Sequence, residues 1–245
     1  MRSISVLFLV ATLAGCGAPS GQSASGPAGS SLRIADAAMT SGSPEVALQV
    51  LAGVLKQEPG NTEALLRQAK VQLALGSANG AEISYRKALA VNPGLVEARI
   101  GLGKVVMRTN PASAERTFMD ILATQPKNAQ LLNNIGVARD LQGHHADAQK
   151  AYQAALDAAP GLASAQQNLA LSLAVSGRAP EGVAMLNRLA ESGEGGRKVR
   201  DNLALALALA GNTAEAGQVL GEEMSQTDVA RALAAYRTLG ATDPR

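Results

Sequence analysis

The chain has 245 residues, of which 47% are hydrophobic and 17% are charged, and its 22 basic residues nearly balance its 20 acidic ones. Because affinity for nucleic acid comes largely from neutralising phosphates, this balance argues against nucleic acid as a partner. A single cysteine excludes an internal disulfide bond. The abundance of Ala and Leu, with only 2% aromatic residues, favours helix throughout.

The first fifteen residues have the pattern of a secretory signal peptide. Arg2 supplies positive charge, and residues 4–14 form an apolar run of about eleven residues, whereas a membrane span needs roughly 20. The run ends in Leu-Ala-Gly-Cys, which resembles the bacterial lipobox, where the signal is cleaved before a cysteine that then carries lipid. The resemblance implies lipid attachment at Cys16. A plain cleavage site with an incidental thiol is the alternative.

The residue after Cys16 bears on the membrane to which such a protein is sorted. It is Gly17 and not an aspartate. In lipoproteins of bacteria with two membranes, this residue implies an anchor in the outer membrane, on its periplasmic face. Residues 17–31 contain only Gly, Ala, Ser, Pro and one Gln, a composition that cannot bury a core. Residues 16–31 are therefore predicted to form a lipidated, flexible tether.

Residues 32–226 carry an internal repeat in which four residue classes keep one register. Small residues let two helices approach, an aromatic residue fills the space beside them, glycine permits the turn and proline ends the second helix. Thr109 takes the glycine position of the third unit. The recurring residues are the small residues Ala47, Ala81, Ala114, Ala148, Gly182 and Ala216, the aromatic residues Tyr85, Phe118 and Tyr152, the turn glycines Gly42, Gly76, Gly143, Gly177 and Gly211, and the prolines Pro59, Pro93, Pro126 and Pro160.

The spacing of these positions, about 34 residues, resembles that of the tetratricopeptide repeat (TPR), a helix–turn–helix unit. Residues 128–160 are the best copy. The resemblance implies an all-α fold, a right-handed α-solenoid of about six TPR units. Residues 227–245 are predicted to form a C-terminal capping helix and tail, with Val229, Ala232, Leu233, Tyr236 and Leu239 on one side of the helix. The units are expected to begin near Leu32, Thr62, Leu95, Ala129, Ala163 and Arg197.

No residues of the sequence form a catalytic or metal-binding pattern. His144 and His145 are adjacent, so they do not make the i, i+4 pair that chelates metal, and a solvated turn is expected there. Residues 101–104, Gly-Leu-Gly-Lys, resemble part of a phosphate loop, but Val105 stands where Ser or Thr is required. We therefore expect no enzyme activity, no cofactor and no bound metal.

The first helices of successive units are expected to line a concave groove. Asn134, Asn168 and Asn202 recur there once in each successive repeat, and a primary amide can both donate to and accept from a peptide backbone. Hydrogen bonding between neighbouring units is the alternative role for this asparagine ladder. Ile100 interrupts the ladder in the third unit. The candidate partner-binding residues are Arg67, Asn133, Asn134, Gln167, Asn168, Asp201 and Asn202, and the apolar lining between them is Val106, Met107, Val137, Leu141, Leu171, Val175, Leu205 and Leu209.

The second half of the chain resembles the TadD-like TPR lipoproteins of tight-adherence (Flp) pilus assembly, most specifically in the segment VRDNLALALALAG. That resemblance implies a scaffold on the outer membrane that helps a secretin, or another pilus component, to assemble or reach its place. The alternative is a lipid-anchored TPR adaptor that docks peptidoglycan hydrolases or synthases. Neighbouring pilus genes would favour the first function, and neighbouring cell-wall genes the second.

Overall fold

Thirteen α-helices, packed one against the next in chain order, form the part of the protein that the computed structural model describes, residues 27–193 and 196–241. Those residues contain no strand, and the predicted all-α solenoid is confirmed. None of their helices is both long enough and apolar enough to cross a bilayer. The helices are α1 (Pro27–Thr40), α2 (Pro44–Gln57), α3 (Thr62–Ala74), α4 (Ala78–Val91), α5 (Val96–Val106), α6 (Pro111–Leu122), α7 (Ala129–Asp140), α8 (His145–Ala158), α9 (Ala163–Leu173), α10 (Ala179–Glu191), α11 (Gly196–Leu209), α12 (Thr213–Gly221) and α13 (Gln226–Ala241).

Glycines in the left-handed region make the turn between the two helices of five units. Gly42, Gly76, Gly143, Gly177 and Gly211 have φ between 73° and 88°, where a residue with a β-carbon is strained. The third unit has no glycine at this position, and its turn has a different hydrogen-bond pattern. There the N–H groups of Thr109 and Asn110 both donate to the Val106 carbonyl. Ala114 follows Gly103 by 11 positions, whereas Ala148 follows Gly136 by 12, so this unit is one residue shorter.

The N-terminal boundary of the fold differs from the prediction. α1 begins at Pro27, so residues 27–31 are helical and do not belong to a flexible tether. Proline is favoured at a helix start because its φ is already helical, and Ala28 packs against the first core cluster beside Leu32 and Ala35. Because residues 27–31 share the Gly- and Ser-rich composition of the preceding segment, the sequence did not predict this first turn of α1. Cys16, the predicted signal peptide and residues 17–26 lie outside the described residues.

In the described ranges, the core runs along the solenoid as five apolar clusters, each shared by neighbouring helices. Tyr85, Phe118 and Tyr152 are at most 4% exposed, at the position where the repeat placed them. α13 covers the last cluster with Val229, Leu233 and Tyr236, as expected of a capping helix. The predicted contribution of Leu239 lies outside the described side chains. The first helix of each unit is thereby held at a fixed position beside the next.

Candidate partner-binding groove

The candidate groove consists of the first helices of units two to six, which are α3, α5, α7, α9 and α11. Counting from the first residue of each helix gives the register, and the sixth residues of α3, α5, α7 and α9 are Arg67, Gly101, Asn134 and Asn168. The placement of Ile100 in the ladder was therefore wrong by one residue. The third unit is one residue shorter only after Gly103, so α5 itself still begins one full repeat after α3.

One member of the asparagine ladder, Asn168, bonds a neighbouring unit. Asn168 Nδ2 donates to Asn133 Oδ1 at 2.9 Å, which links α9 to α7. Asn133 and Asn134 are each 6% exposed and Gln167 is 5% exposed, so these three amides are part of the interior. Asn134 Nδ2 and Gln167 Oε1 are buried with no hydrogen-bond partner among the described residues. For the Asn133–Asn168 pair, the structure thus shows the inter-unit role that the sequence had left open.

The other predicted site residues lie apart from this amide cluster. Arg67 is partly exposed and pairs with Asp36 of α1 at 3.0 Å and with Glu63 at 3.3 Å. These carboxylates raise the pKa of the Arg67 guanidinium although its burial acts in the opposite direction. Asp201 lies 3.7 Å from Arg197, and Asn202 is partly exposed with no side-chain hydrogen bond to the described residues. The predicted residues therefore follow the row of helices without forming one pocket.

The eight apolar side chains predicted to line the groove all keep some exposure to solvent. Leu141 is 52% exposed, and the other seven are partly buried. Val106 borders a pocket that it shares with residues of the second helices α4 and α6, so its side chain belongs to that side of the solenoid. The eight residues are Val106, Met107, Val137, Leu141, Leu171, Val175, Leu205 and Leu209.

Sequence reasoning missed a cationic part of the groove. Lys104, the last residue of Gly-Leu-Gly-Lys, is the ninth residue of α5, and Arg108 follows one turn later. Both side chains are exposed, and neither has an ion-pair partner in the described ranges. The repeat register could have indicated this cation, since Lys104 is equivalent to Val137 and Leu171, the ninth residues of α7 and α9. Because Lys104 was interpreted as part of a phosphate-loop pattern, its equivalence to these two residues was missed.

The glycines of that pattern are needed for packing. A β-carbon on Gly103 would lie 2.7 Å from Cε1 of Phe118, and one on Gly101 would lie 2.7 Å from the Tyr85 hydroxyl. Both glycines are inside helix α5, where no phosphate-binding loop exists. The two glycines of Gly-Leu-Gly-Lys therefore serve the close packing of α5 against the Tyr85 and Phe118 rings.

A polar network around Asp140 ties α7, α8 and α9 together beside the groove. The Asp140 carboxylate accepts from the hydroxyls of Tyr152 and Ser172, each at 2.8 Å, and contacts Nδ1 of His145 at 2.9 Å. Burial, reinforced by this carboxylate, raises the pKa of the Tyr152 phenol far above its usual value. His144 is exposed as expected, whereas His145 is half-buried against Asp140 and not in a solvated turn. The described residues contain no group of three or more His, Cys, Asp or Glu side chains that could hold a metal ion.

A second network joins the third unit to the fourth. Arg139 Nε donates to Glu115 at 2.7 Å, and Gln142 Nε2 donates to the other oxygen of that carboxylate at 2.8 Å. Burial alone would raise the pKa of Glu115, but these two hydrogen bonds outweigh it and hold the pKa below its ordinary value. Glu115 is therefore a charged acceptor that fixes the position of α7 against α6.

Comparisons with known proteins agree with this architecture. Part of the chain is 36% identical over 89 residues to the type IV pilus assembly protein PilF of Pseudomonas aeruginosa, which covers 34% of each chain. Another match is 42% identical over 67 residues to the FK506-binding protein-like protein of Rattus norvegicus, covering 27% of this chain and 19% of that protein. The chain thus spans only about a fifth to a third of these curated relatives.

The crystal structure of PilW, a type IV pilus biogenesis factor, has a similar fold. It superposes with a TM-score of 0.70 at 22% identity, over 80% of this chain and 93% of that chain. The tetratricopeptide repeat profile matches residues 32–105, 106–163 and 142–197, which together make up more than half of the sequence. The protein therefore belongs to the tetratricopeptide repeat family of protein-interaction modules.

Proposed function

We propose that this protein is a non-catalytic, lipid-anchored scaffold that acts in the assembly of a pilus, of the tight-adherence (Flp) kind. Its client is a secretin or another component of the pilus machinery. The observation that carries the scaffold role is the row of successive first helices, which bear partly exposed apolar side chains at repeating positions, as in Val137 and Leu171. The 36% identity to a segment of PilF supports the pilus context, because that protein is a type IV pilus assembly factor.

Anchoring through an acylated Cys16 would keep the solenoid close to the outer membrane on the periplasmic side. The lipobox resemblance supports the anchor, and the position of α1 sets its reach. Ten residues separate Cys16 from Pro27. A fully extended chain of that length spans about 35 Å at most. The groove would therefore be presented within a few nanometres of the bilayer, where an outer-membrane client is inserted.

Recovery of the client from outer membranes tests this proposal. The full-length protein is cross-linked in its own cells, purified from the outer-membrane fraction, and the bound proteins are identified by mass spectrometry. We expect pilus-assembly proteins, including a secretin, and we expect fewer of them with the Cys16→Ser variant. Recovery of peptidoglycan hydrolases or synthases without pilus proteins would replace the pilus role by the cell-wall adaptor role.

A further inference from the structure

The groove has two chemically different halves. At the ninth position of the first helices, units two and three carry Lys70 and Lys104, whereas units four and five carry Val137 and Leu171. Leu205 continues the apolar series in α11. A partner that lies along the whole groove would therefore meet cations first and then apolar side chains.

Only the second of the two lysines is left without an acidic neighbour. Lys70 Nζ is paired with Glu97 Oε1 at 2.6 Å, and Glu97 is the second residue of the next first helix, α5. The second residue of α7 is Gln130, which has no charge. The ion pair between units two and three is therefore not repeated between units three and four. Within the described ranges, Lys104 has no ion pair.

Arg108 reinforces the cationic character of this point in the groove. It is exposed one turn after Lys104 and also lacks an ion pair with the described residues. Other arginines of the first helices are engaged: Arg67 with Asp36, Arg139 with Glu115, and Arg200 with Glu223. Lys198 of α11 is also exposed without an ion pair to the described residues, but it lies alone at the start of its helix. Lys104 and Arg108 are one turn apart, and two such cations without acidic partners create a local positive potential that favours a carboxylate.

We propose that the groove binds an extended client segment that places Asp or Glu side chains over Lys104 and Arg108 and apolar side chains over units four to six. This proposal rests on the proposed function, in which the groove holds a protein client. The apolar half is supplied by Val137, Leu171 and Leu205. The change from charged to apolar lining fixes the direction in which the segment lies.

The geometry also sets a spacing for the apolar anchors. Among the first helices, α7 packs directly against α9, and α9 against α11. Directly packed helices are about 8–10 Å apart, and an extended chain advances about 3.3 Å per residue. Successive apolar anchors of the client are therefore expected about three residues apart, with the acidic residue outside them on the side of the third unit.

Selection from a random peptide library tests the charge preference without knowledge of the client. The full-length protein, purified in detergent, is used to select 12-residue peptides displayed with blocked C-termini. We expect enrichment of sequences with Asp or Glu on one side of two apolar residues that are about three positions apart. The Lys104→Glu/Arg108→Glu variant should lose that enrichment and select Lys or Arg at the same place.

The matched control reverses the same amount of charge outside the groove. Lys87 of α4 and Arg116 of α6 are exposed on second helices and have no ion pair with the described residues. The Lys87→Glu/Arg116→Glu variant should select the same peptides as the unaltered protein. Equal loss of acidic peptides in both variants would show that net charge governs the selection and would overturn the proposal.

Affinity measurements on one selected peptide then test the contact directly. Changing its Asp to Asn should weaken binding about two- to fivefold for an exposed ion pair, and less at high salt. The same change should have no effect on binding to Lys104→Glu/Arg108→Glu. Selection of no peptide, or of peptides that bind only with a free C-terminus, would refute the proposal. The cross-linking experiment would still decide the scaffold role, so the two failures are distinguishable.

Discussion

Replacing Gly136 by alanine tests whether close approach of Tyr152 to α7 holds the fourth unit together. An added β-carbon would lie 2.6 Å from Cδ1 and 2.8 Å from Cζ of the Tyr152 ring, well inside van der Waals contact. The ring is 1% exposed, and its hydroxyl donates to Asp140 at 2.8 Å. Any shift of the ring that relieves the clash therefore disturbs a buried hydrogen bond as well.

Comparison with Tyr85 of the second unit indicates whether the Tyr152 ring could move away from an added β-carbon. Its first helix has Ala69 at the eighth position, where α7 has Gly136. There the Tyr85 ring lies against Gly101, the sixth residue of the next first helix. The corresponding residue beyond Tyr152 is Asn168, whose side chain is bonded to α7. The Tyr152 ring therefore cannot shift towards the next unit as the Tyr85 ring does, because Asn168 stands where Tyr85 meets a glycine.

The expected magnitude follows from two opposing effects. Overpacking a core costs about 1–3 kcal/mol. The higher helix propensity of alanine returns roughly 0.8–1.0 kcal/mol. Gly53→Ala in α2 is the matched control, because no atom lies within 4 Å of a β-carbon there. It should gain helix propensity without a clash, so the two variants should differ in the free energy of unfolding by about 1–3 kcal/mol. Urea unfolding followed by circular dichroism measures both. Equal stabilisation of both variants would refute this account of the glycine.

Three further perturbations test the polar contacts and the anchor. Asn168→Ala should lower the free energy of unfolding by about 1–3 kcal/mol, because it leaves the buried Asn133 oxygen without a donor. Asn202→Ala, at a partly exposed residue, should change the free energy of unfolding by less than about 0.5 kcal/mol. Equal effects in thermal unfolding would contradict the inter-unit bond. Because the pKa of Glu115 is lowered, its stabilisation should be complete above the ordinary value of 4.5 and be lost as the pH falls through the lowered value. The stability difference between the protein and Glu115→Gln should accordingly shrink below that pH, and a constant difference would exclude the charge as its source. Cys16→Ser should move the protein out of the membrane fraction with its far-ultraviolet circular dichroism unchanged, and retention in the membrane would contradict acylation.

The repeat predicted most of the fold because the residues that define it are local and have few substitutes. A turn glycine such as Gly143, with φ of 77°, marks its own conformation, and a buried aromatic residue such as Tyr152 marks the crossing of two helices. The contacts between units could not be predicted in the same way. Whether a tyrosine ring lies on its own unit, as Tyr152 does, or on the next, as Tyr85 does, depends on glycines more than ten residues away.

The candidate site was predicted less well than the fold, for a related reason. An asparagine on a groove helix has the same sequence pattern whether it bonds a neighbouring unit or a peptide. For Asn133 and Asn168 the inter-unit role is visible only in the structure, where Asn168 donates to the buried Asn133. Likewise, Lys70 and Lys104 are equivalent in sequence position, yet only one has a carboxylate partner. The difference resides in Glu97 and Gln130, which belong to the following units.

The polar contacts between units also affect how the groove would meet a client. Glu115 joins the third unit to the fourth, and the Asn133–Asn168 and Asp140–Ser172 hydrogen bonds join the fourth to the fifth. Such directional bonds fix the relative position of helices that apolar contacts alone would allow to slide. In the proposed complex, the groove from Lys104 to Leu171 would therefore be organised before a client binds. Because less conformational entropy is then lost on association, a short segment with a few carboxylate and apolar contacts can suffice for binding.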